Sequence, residues 1–216
     1  MQTQTYAIDP SNPDPATITR AATVIRTGGA VIFPTHGLYG LAADALNPEA
    51  VNRLFTLKGR NISKPLLVLI HHRDQLPRLI RKITPLTAHL MDRFWPGQVT
   101  FVLPAAPGLA QGLLSIEGKI GIRLAGHPVA HALAAAVGSP ITGTSANLSG
   151  KGGCATLDQV QPEIKKAADL ILDAGPLAGG PGSTVVDTDT VPPRILREGS
   201  VPAKNILAVS RSFSPI

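Results

Sequence analysis

Hydrophobic positions along the chain follow two rhythms that take turns. Ile18, Ala22 and Ile25 fall on one helical face behind an Asp14-Pro15 start, and Gly28-Gly29 ends the run. Val51, Leu54 and Phe55 repeat the pattern behind Asn47-Pro48, with Lys58 continuing the apolar face up to a stop at Gly59. Thr84-Pro85 opens a third predicted helix with Leu86, Leu90 and Phe94 inward, closed by Trp95-Pro96-Gly97. His127-Pro128 opens a fourth that ends at Gly138, and Thr156 caps a fifth that reaches Ala168. Between these helices, short apolar or alternating runs predict strands at 30–33, 66–70, 99–103, 120–124, 140–144, 169–172, 184–187 and 194–197. Where Ile120, Ile122 and Leu124 alternate, Arg123 points to the opposite face.

Helix and strand signals that alternate throughout argue for an α/β fold. The expectation is a single domain over 1–216, with its core at about 15–201. Its frame would be a largely buried sheet with flanking helices. Nothing repeats at a fixed period, and no linker divides the chain. The Pro-rich start and the segment after Val201 read as peripheral.

Composition narrows the class. Hydrophobic residues make up 44% of the 216, enough for a real core and too many for wholesale disorder. No apolar run approaches the roughly 20 residues of a membrane span. The polar stretch 1–15 lacks a signal-peptide pattern, so a cytoplasmic location is expected. The single cysteine, Cys154, excludes a disulfide framework and a cysteine-built zinc site; it reads as a small semi-buried residue. A net charge of +6 suits polyanionic partners such as nucleotides, pyrophosphate or RNA. Aromatic residues at 4% argue against a platform for stacking single-stranded bases.

The polar clusters fall at strand ends and in Gly-rich loops, where open α/β sheets bind ligands. In 33–40, Thr35, His36 and Tyr39 stand among glycines; alone this reads as an ordinary strand-to-helix loop. Lys58, Arg60 and Lys64 gather at a helix end, either as a solvated cap or, since Lys58 lies on the apolar face, as an inward cation that wants an anion. The stretch 142–153 is rich in Gly, Ser and Asn and lacks the Walker spacing; it is a flexible connector or a cradle for phosphate or carboxylate. Gly179-Gly180-Pro181-Gly182-Ser183-Thr184, followed by Arg194 and Arg197, is a turn with edge-strand charges or a further lining.

Taken in order, these segments resemble the YrdC-type threonylcarbamoyl-AMP synthase family. That family's PTxTxYGL segment reads here Pro34-Thr35-His36-Gly37-Leu38-Tyr39-Gly40-Leu41, and its KxR and KP segments are Lys58-Gly59-Arg60 and Lys64-Pro65. Its FWPGxxT segment is 94–100, its SANxSG segment is Ser145-Ala146-Asn147-Leu148-Ser149-Gly150, and its GxxST…R segment matches Gly182-Ser183-Thr184 with Arg194 and Arg197. The resemblance covers about 15–201, points to the short, single-domain form, and implies a twisted open mixed or parallel sheet with flanking helices around a basic concave cavity.

The resemblance implies a nucleotidyltransferase that condenses L-threonine, bicarbonate or CO2, and ATP into threonylcarbamoyl-AMP and pyrophosphate. Magnesium would come with ATP, with no metal held by the protein itself, and a separate transferase complex would pass the group to tRNA. By the same resemblance, Lys58 and Arg60 are the catalytic cations. Thr35, Arg123, Thr142 and Ser183 would hold threonine. Lys58, Arg60, Thr144, Ser145, Asn147, Gly153 and Arg197 would hold the nucleotide. The chain departs from the pattern at His36 and Gly37, where relatives usually carry an acidic residue and a threonine. Two other readings stand beside this one: a paralogue that adenylates a different carbamoyl or acyl acceptor, and a double-stranded RNA-binding protein without catalysis.

Overall fold

A computed structural model describes residues 3–213. The expected helices begin where their caps place them. Asp14 accepts from Thr17 N at 2.8 Å and starts α1 (Pro15–Arg26), which buries Ile18, Ala21, Ala22 and Ile25. Asn47 caps α2 (Pro48–Lys58), and left-handed Gly59 (φ 56°) ends it. Thr84 caps α3 (Pro85–Phe94). α4 (Pro128–Val137) follows His127, whose side chain makes no cap bond, and stops at left-handed Gly138. Proline at the first helical position recurs in each because its missing N–H has no partner to lose there.

The strands are β1 (Gln4–Ala7), β2 (Val31–Pro34), β3 (Tyr39–Ala42), β4 (Val68–Ile70), β5 (Val99–Pro104), β6 (Lys119–Leu124), β7 (Ile141–Thr142), β8 (Thr144–Ser145), β9 (Leu170–Asp173), β10 (Thr184–Asp187) and β11 (Arg194–Arg197). They divide between two mixed sheets rather than forming one. The first has the order β1-β9-β2-β3-β8 and the second β11-β10-β5-β6-β4-β7. In the first, β1, β9 and β2 run parallel, while β3 is antiparallel to both β2 and β8. In the second, β10 pairs parallel with β5 and β4 with β6, and the other neighbours are antiparallel.

The sequence reading has no counterpart for β1 and β3, and three further segments differ from it. The run expected as one strand at 140–144 changes sheets midway: β7 belongs to the second sheet and β8 to the first. The hinge is Gly143, where a Cβ would press within 2.6 Å of Leu69. The helix expected from Thr156 to Ala168 is broken at Pro162. One 3-10 turn (Leu157–Gln159) precedes α5 (Pro162–Ala167), and Gln161 is held extended (φ −58°, ψ 141°) by the proline after it. The segment after Val201 carries α6 (Ala203–Arg211), which packs on α3 and buries Ile206.

Two apolar clusters fill the body. The larger takes in β5, β6, α2 and α3 around Phe101, Ile122, Leu54 and Leu90. The other lies between α1, α4 and the first sheet, around Ile25, Phe33 and Leu133. Fully burying each such side chain is worth roughly 1.5–3 kcal/mol. No helix among the described residues is long and apolar enough to cross a membrane.

Candidate active site

Between the two sheets lies an open cavity of about 400 Å³. Thr35, Tyr39, Gly40, Thr144 and Ser145 line it from the first sheet's side. Thr100, Lys119, Gly121, Arg123, Val185, Leu196 and Arg197 line it from the second, and Arg60, Gly153, Gly182 and Ser183 come from loops. The switch of the chain at Gly143 therefore places Thr144 and Ser145 on one wall and leaves β7 in the other sheet.

Arg60, Arg123 and Arg197 bring positive charge inside, and no carboxylate lines the cavity among the described residues. Arg60 is braced by backbone: its Nε donates to Lys64 O at 2.7 Å and its Nη2 to Pro65 O at 3.2 Å. Arg197 donates to Ser183 O at 2.7 Å, and the Ser183 hydroxyl sits 2.8 Å from that of Thr100. The Nε of Arg123 is buried and has no partner. Burial, and then the neighbouring Arg197 charge, lowers Arg60 and brings Arg123 down to about 10. Burial lowers Arg197 as well. All three remain cationic at neutral pH. Like charges packed this way without acids are relieved by an anionic guest.

Lys119 is a different kind of cation. Burial opposes its charge, but hydrogen bonds to Asp187 (2.9 Å) and Asp189 (3.1 Å) prevail and hold its pKa above the ordinary lysine value. Sequence reasoning missed Lys119, Thr100 and Ser115 as lining residues. Their signal was the alternation of β5 and β6, which sends Thr100 and Lys119 to the face that also carries Arg123.

The remaining expected site residues do not line the cavity. Lys58 is 1% exposed. Its ammonium donates to Ser145 O and, at 2.6 Å, to Asn147 O. It thus supports the Ser145–Asn147 loop from beneath and does not face the cavity. Burial, with the Arg60 charge adding to it, brings Lys58 down to about 7. The Asn147 amide donates to Leu148 O and Lys151 O at 2.8 and 2.7 Å, closing its own loop. Thr142 is fully buried, and its hydroxyl accepts from Ala43 N at 2.9 Å. Thr35, Arg60, Arg123, Thr144, Ser145, Gly153, Ser183 and Arg197 do share the cavity.

His36 and Gly37 stand at one edge. The His36 ring packs edge-on against His127 with centroids 5.6 Å apart. Gly179 N donates to Gly37 O at 2.9 Å, and a Cβ on Gly37 would collide with Gly179 O. The Tyr39 hydroxyl donates to Gly175 O at 2.7 Å, and burial pushes its pKa up to about 12. These contacts seat the 175–182 loop on the 35–39 segment.

A cavity of arginines, hydroxyls and glycines between two mixed sheets defines an α/β protein with a basic interior cleft. The chain belongs to the Sua5/YciO/YrdC family, whose model, described as telomere recombination, matches residues 23–199. It is 36% identical to the threonylcarbamoyl-AMP synthase of Pyrococcus abyssi over 86% of this chain and 55% of that protein. It is also 36% identical to the Bacillus subtilis threonylcarbamoyl-AMP synthase, over 97% of this chain and 62% of that protein. The chain thus spans less than two-thirds of the length of these relatives. The P. abyssi Sua5 structure complexed with L-threonine superposes with a TM-score of 0.90, at 34% identity, over 96% of this chain and 61% of that one. Escherichia coli YciO gives 0.85 at 26% identity, over 95% of this chain and all of that one (100%).

Proposed function

We propose that this chain makes L-threonylcarbamoyl-AMP from L-threonine, bicarbonate and ATP. The observation that carries the reading is the acid-free cavity lined by Arg60, Arg123 and Arg197. It is supported by relatives named for this activity and by the superposition on a threonine-bound Sua5.

The reaction forms a carbamate on the threonine amine, and a carbamate oxygen then attacks the α-phosphorus of ATP as the bond to pyrophosphate breaks. Positioning and charge neutralisation dominate such transfers, so a site of arginines and hydroxyls without an acid–base pair suits the chemistry. Arg60 and Arg197 face nucleotide phosphates in this account, with Thr144, Ser145 and the bare backbone at Gly153 beside them. Thr35, Ser183 and Arg123 take the amino acid. A seat deep between the sheets limits the contact of the labile carbamate with water.

The cavity offers no carboxylate to a resident metal, and the nearby Asp187 and Asp189 are engaged by Lys119. Magnesium therefore enters on the ATP phosphates, where it offsets their charge. The product passes to tRNA through a separate transferase complex, in the cytoplasm.

Pyrophosphate release from ATP, measured with threonine and bicarbonate each left out in turn, tests the proposal. Release that requires both supports it. Release indifferent to threonine points to another acceptor, and RNA binding without any release points to a non-catalytic role.

A further inference from the structure

Lys119 lines the cavity on the same face of β6 as Arg123, about 13 Å of strand away. It stands across from Pro104 of β5, and its side chain passes over β5 to reach the far end of β10. There its Nζ lies 2.9 Å from Asp187 Oδ2 and 3.1 Å from Asp189 Oδ2. Asp187 is 2% exposed and is itself fixed: Asp189 N donates to its Oδ1 at 3.0 Å, and Arg194 Nη2 to its Oδ2 at 3.3 Å. An ammonium has three donors, and these two carboxylates take two of them. Glu117 Oε2, at 3.7 Å, is beyond hydrogen-bonding range, so the third donor has no acceptor among the described residues.

Charge divides the cavity into two ends. Arg60, Arg123 and Arg197 face no acid among the described residues. At the Lys119 end, Glu117, Asp187 and Asp189 outnumber the cations Lys119 and Arg194. A phosphate therefore gains most among the arginines and nothing beside Lys119. Between the two ends the floor is apolar. Val102 pairs with Gly121 across β5 and β6, and Val185 and Leu196 extend the strip on β10 and β11. Gly121 keeps the strip flat, since a Cβ there would stand in the gap 3.3 Å from Thr100 Cγ2. A flat apolar strip that ends in one spare N–H donor fits the uncharged, planar part of a nucleotide.

We propose that Lys119 is a further residue of the ligand site, donating from its ammonium to the base of a nucleotide that lies on the Val102–Gly121–Val185 strip with its phosphates on Arg60 and Arg197. Asp187 and Asp189 are positioning residues that act through Lys119. The inference rests on the cavity being a nucleotide site.

The test is calorimetric titration of the full chain with AMP and, separately, with inorganic tripolyphosphate, which offers phosphates without a base. Lys119→Met is expected to bind AMP about tenfold more weakly than the wild type, the loss of one hydrogen bond from a charged donor, with its tripolyphosphate affinity unchanged. Asp189→Asn keeps the ammonium and loosens its aim. It is expected to weaken AMP about threefold while binding tripolyphosphate no more weakly, because a nearby negative charge is gone. Added to Lys119→Met, Asp189→Asn should cost AMP nothing further, a result that a merely structural role for Asp189 would not give. Circular dichroism checks each fold, and if Lys119→Met does not fold, Asp189→Asn decides by the same comparison. A loss of tripolyphosphate affinity as large as that of AMP, AMP affinity equal in all the folded proteins, or no AMP binding by the wild type overturns the inference. If AMP follows the expected pattern but pyrophosphate release does not require threonine, Lys119 keeps its role and the proposed activity falls.

Discussion

At the residue scale, Lys58 shows how a cation can matter to a site without touching its ligand. Its ammonium is buried, has no carboxylate partner among the described residues, and donates to the carbonyls of Ser145 and Asn147. The backbone of Lys58 also accepts from Ser149 N at 2.9 Å, so helix end and loop are tied in both directions. Lys58→Met leaves the Asn147 carbonyl without its ammonium donor, while Ser145 O keeps the bond from Asn147 N, and this should cost about 1–3 kcal/mol of stability. Thermal denaturation should therefore show a clear loss, and ATP affinity should fall with it. A variant with wild-type melting and lost turnover would instead place the ammonium on the ligand. The pH dependence has a definite sign. A lysine lowered from 10.5 to about 7 binds fewer protons when folded than when unfolded. Between those values this group makes stability increase with pH, and Lys58→Met should remove that slope in chemical denaturation measured across the range. Helical spacing made the inward direction of Lys58 legible. Its partners were not, because backbone carbonyls across a turn leave no mark in side-chain patterns.

At the element scale, caps and periodicity marked helices α1 to α4 and most strands, since each start pairs a side-chain acceptor or an extended residue with proline. β3 stayed hidden because Tyr39-Gly40 reads as part of a Gly-rich loop, although all four of its residues are buried. The role of Gly37 was hidden for a related reason. Its bareness matters only because the 175–182 loop lies against it, and that contact joins segments more than a hundred residues apart. Gly37→Ala should push Gly179 away and carry Gly182 and Ser183 out of the cavity wall. Threonine and ATP affinity should drop about tenfold or more, with a modest change in melting temperature, because the loop meets the apolar clusters only through Leu177. Unchanged affinity for both ligands would show that the loop's seat does not shape the site.

At the scale of the whole molecule, the ligand cavity exists because the strands form two sheets. The crossing from β7 to β8 at Gly143 puts Ser145 opposite Arg123 and Arg197, residues that lie far apart along the chain. Sequence order and composition indicated an α/β protein, and the family resemblance implied its basic concavity and the roles of Arg60, Arg123, Ser183 and Arg197. Pairing between distant strands, which decides that Thr142 faces the core while Thr144 lines the cavity, lies beyond local pattern. The central claim is that this cavity joins threonine, bicarbonate and ATP in one product. The most direct measurement supplies carbon-13 bicarbonate with threonine and ATP and weighs the nucleotide product by mass spectrometry. A nucleotide carrying both threonine and the labelled carbon, and absent when Arg60 and Arg197 are both replaced by Met, is the expected result. A nucleotide product that lacks the labelled carbon, or ATP left intact under these conditions, would contradict the account.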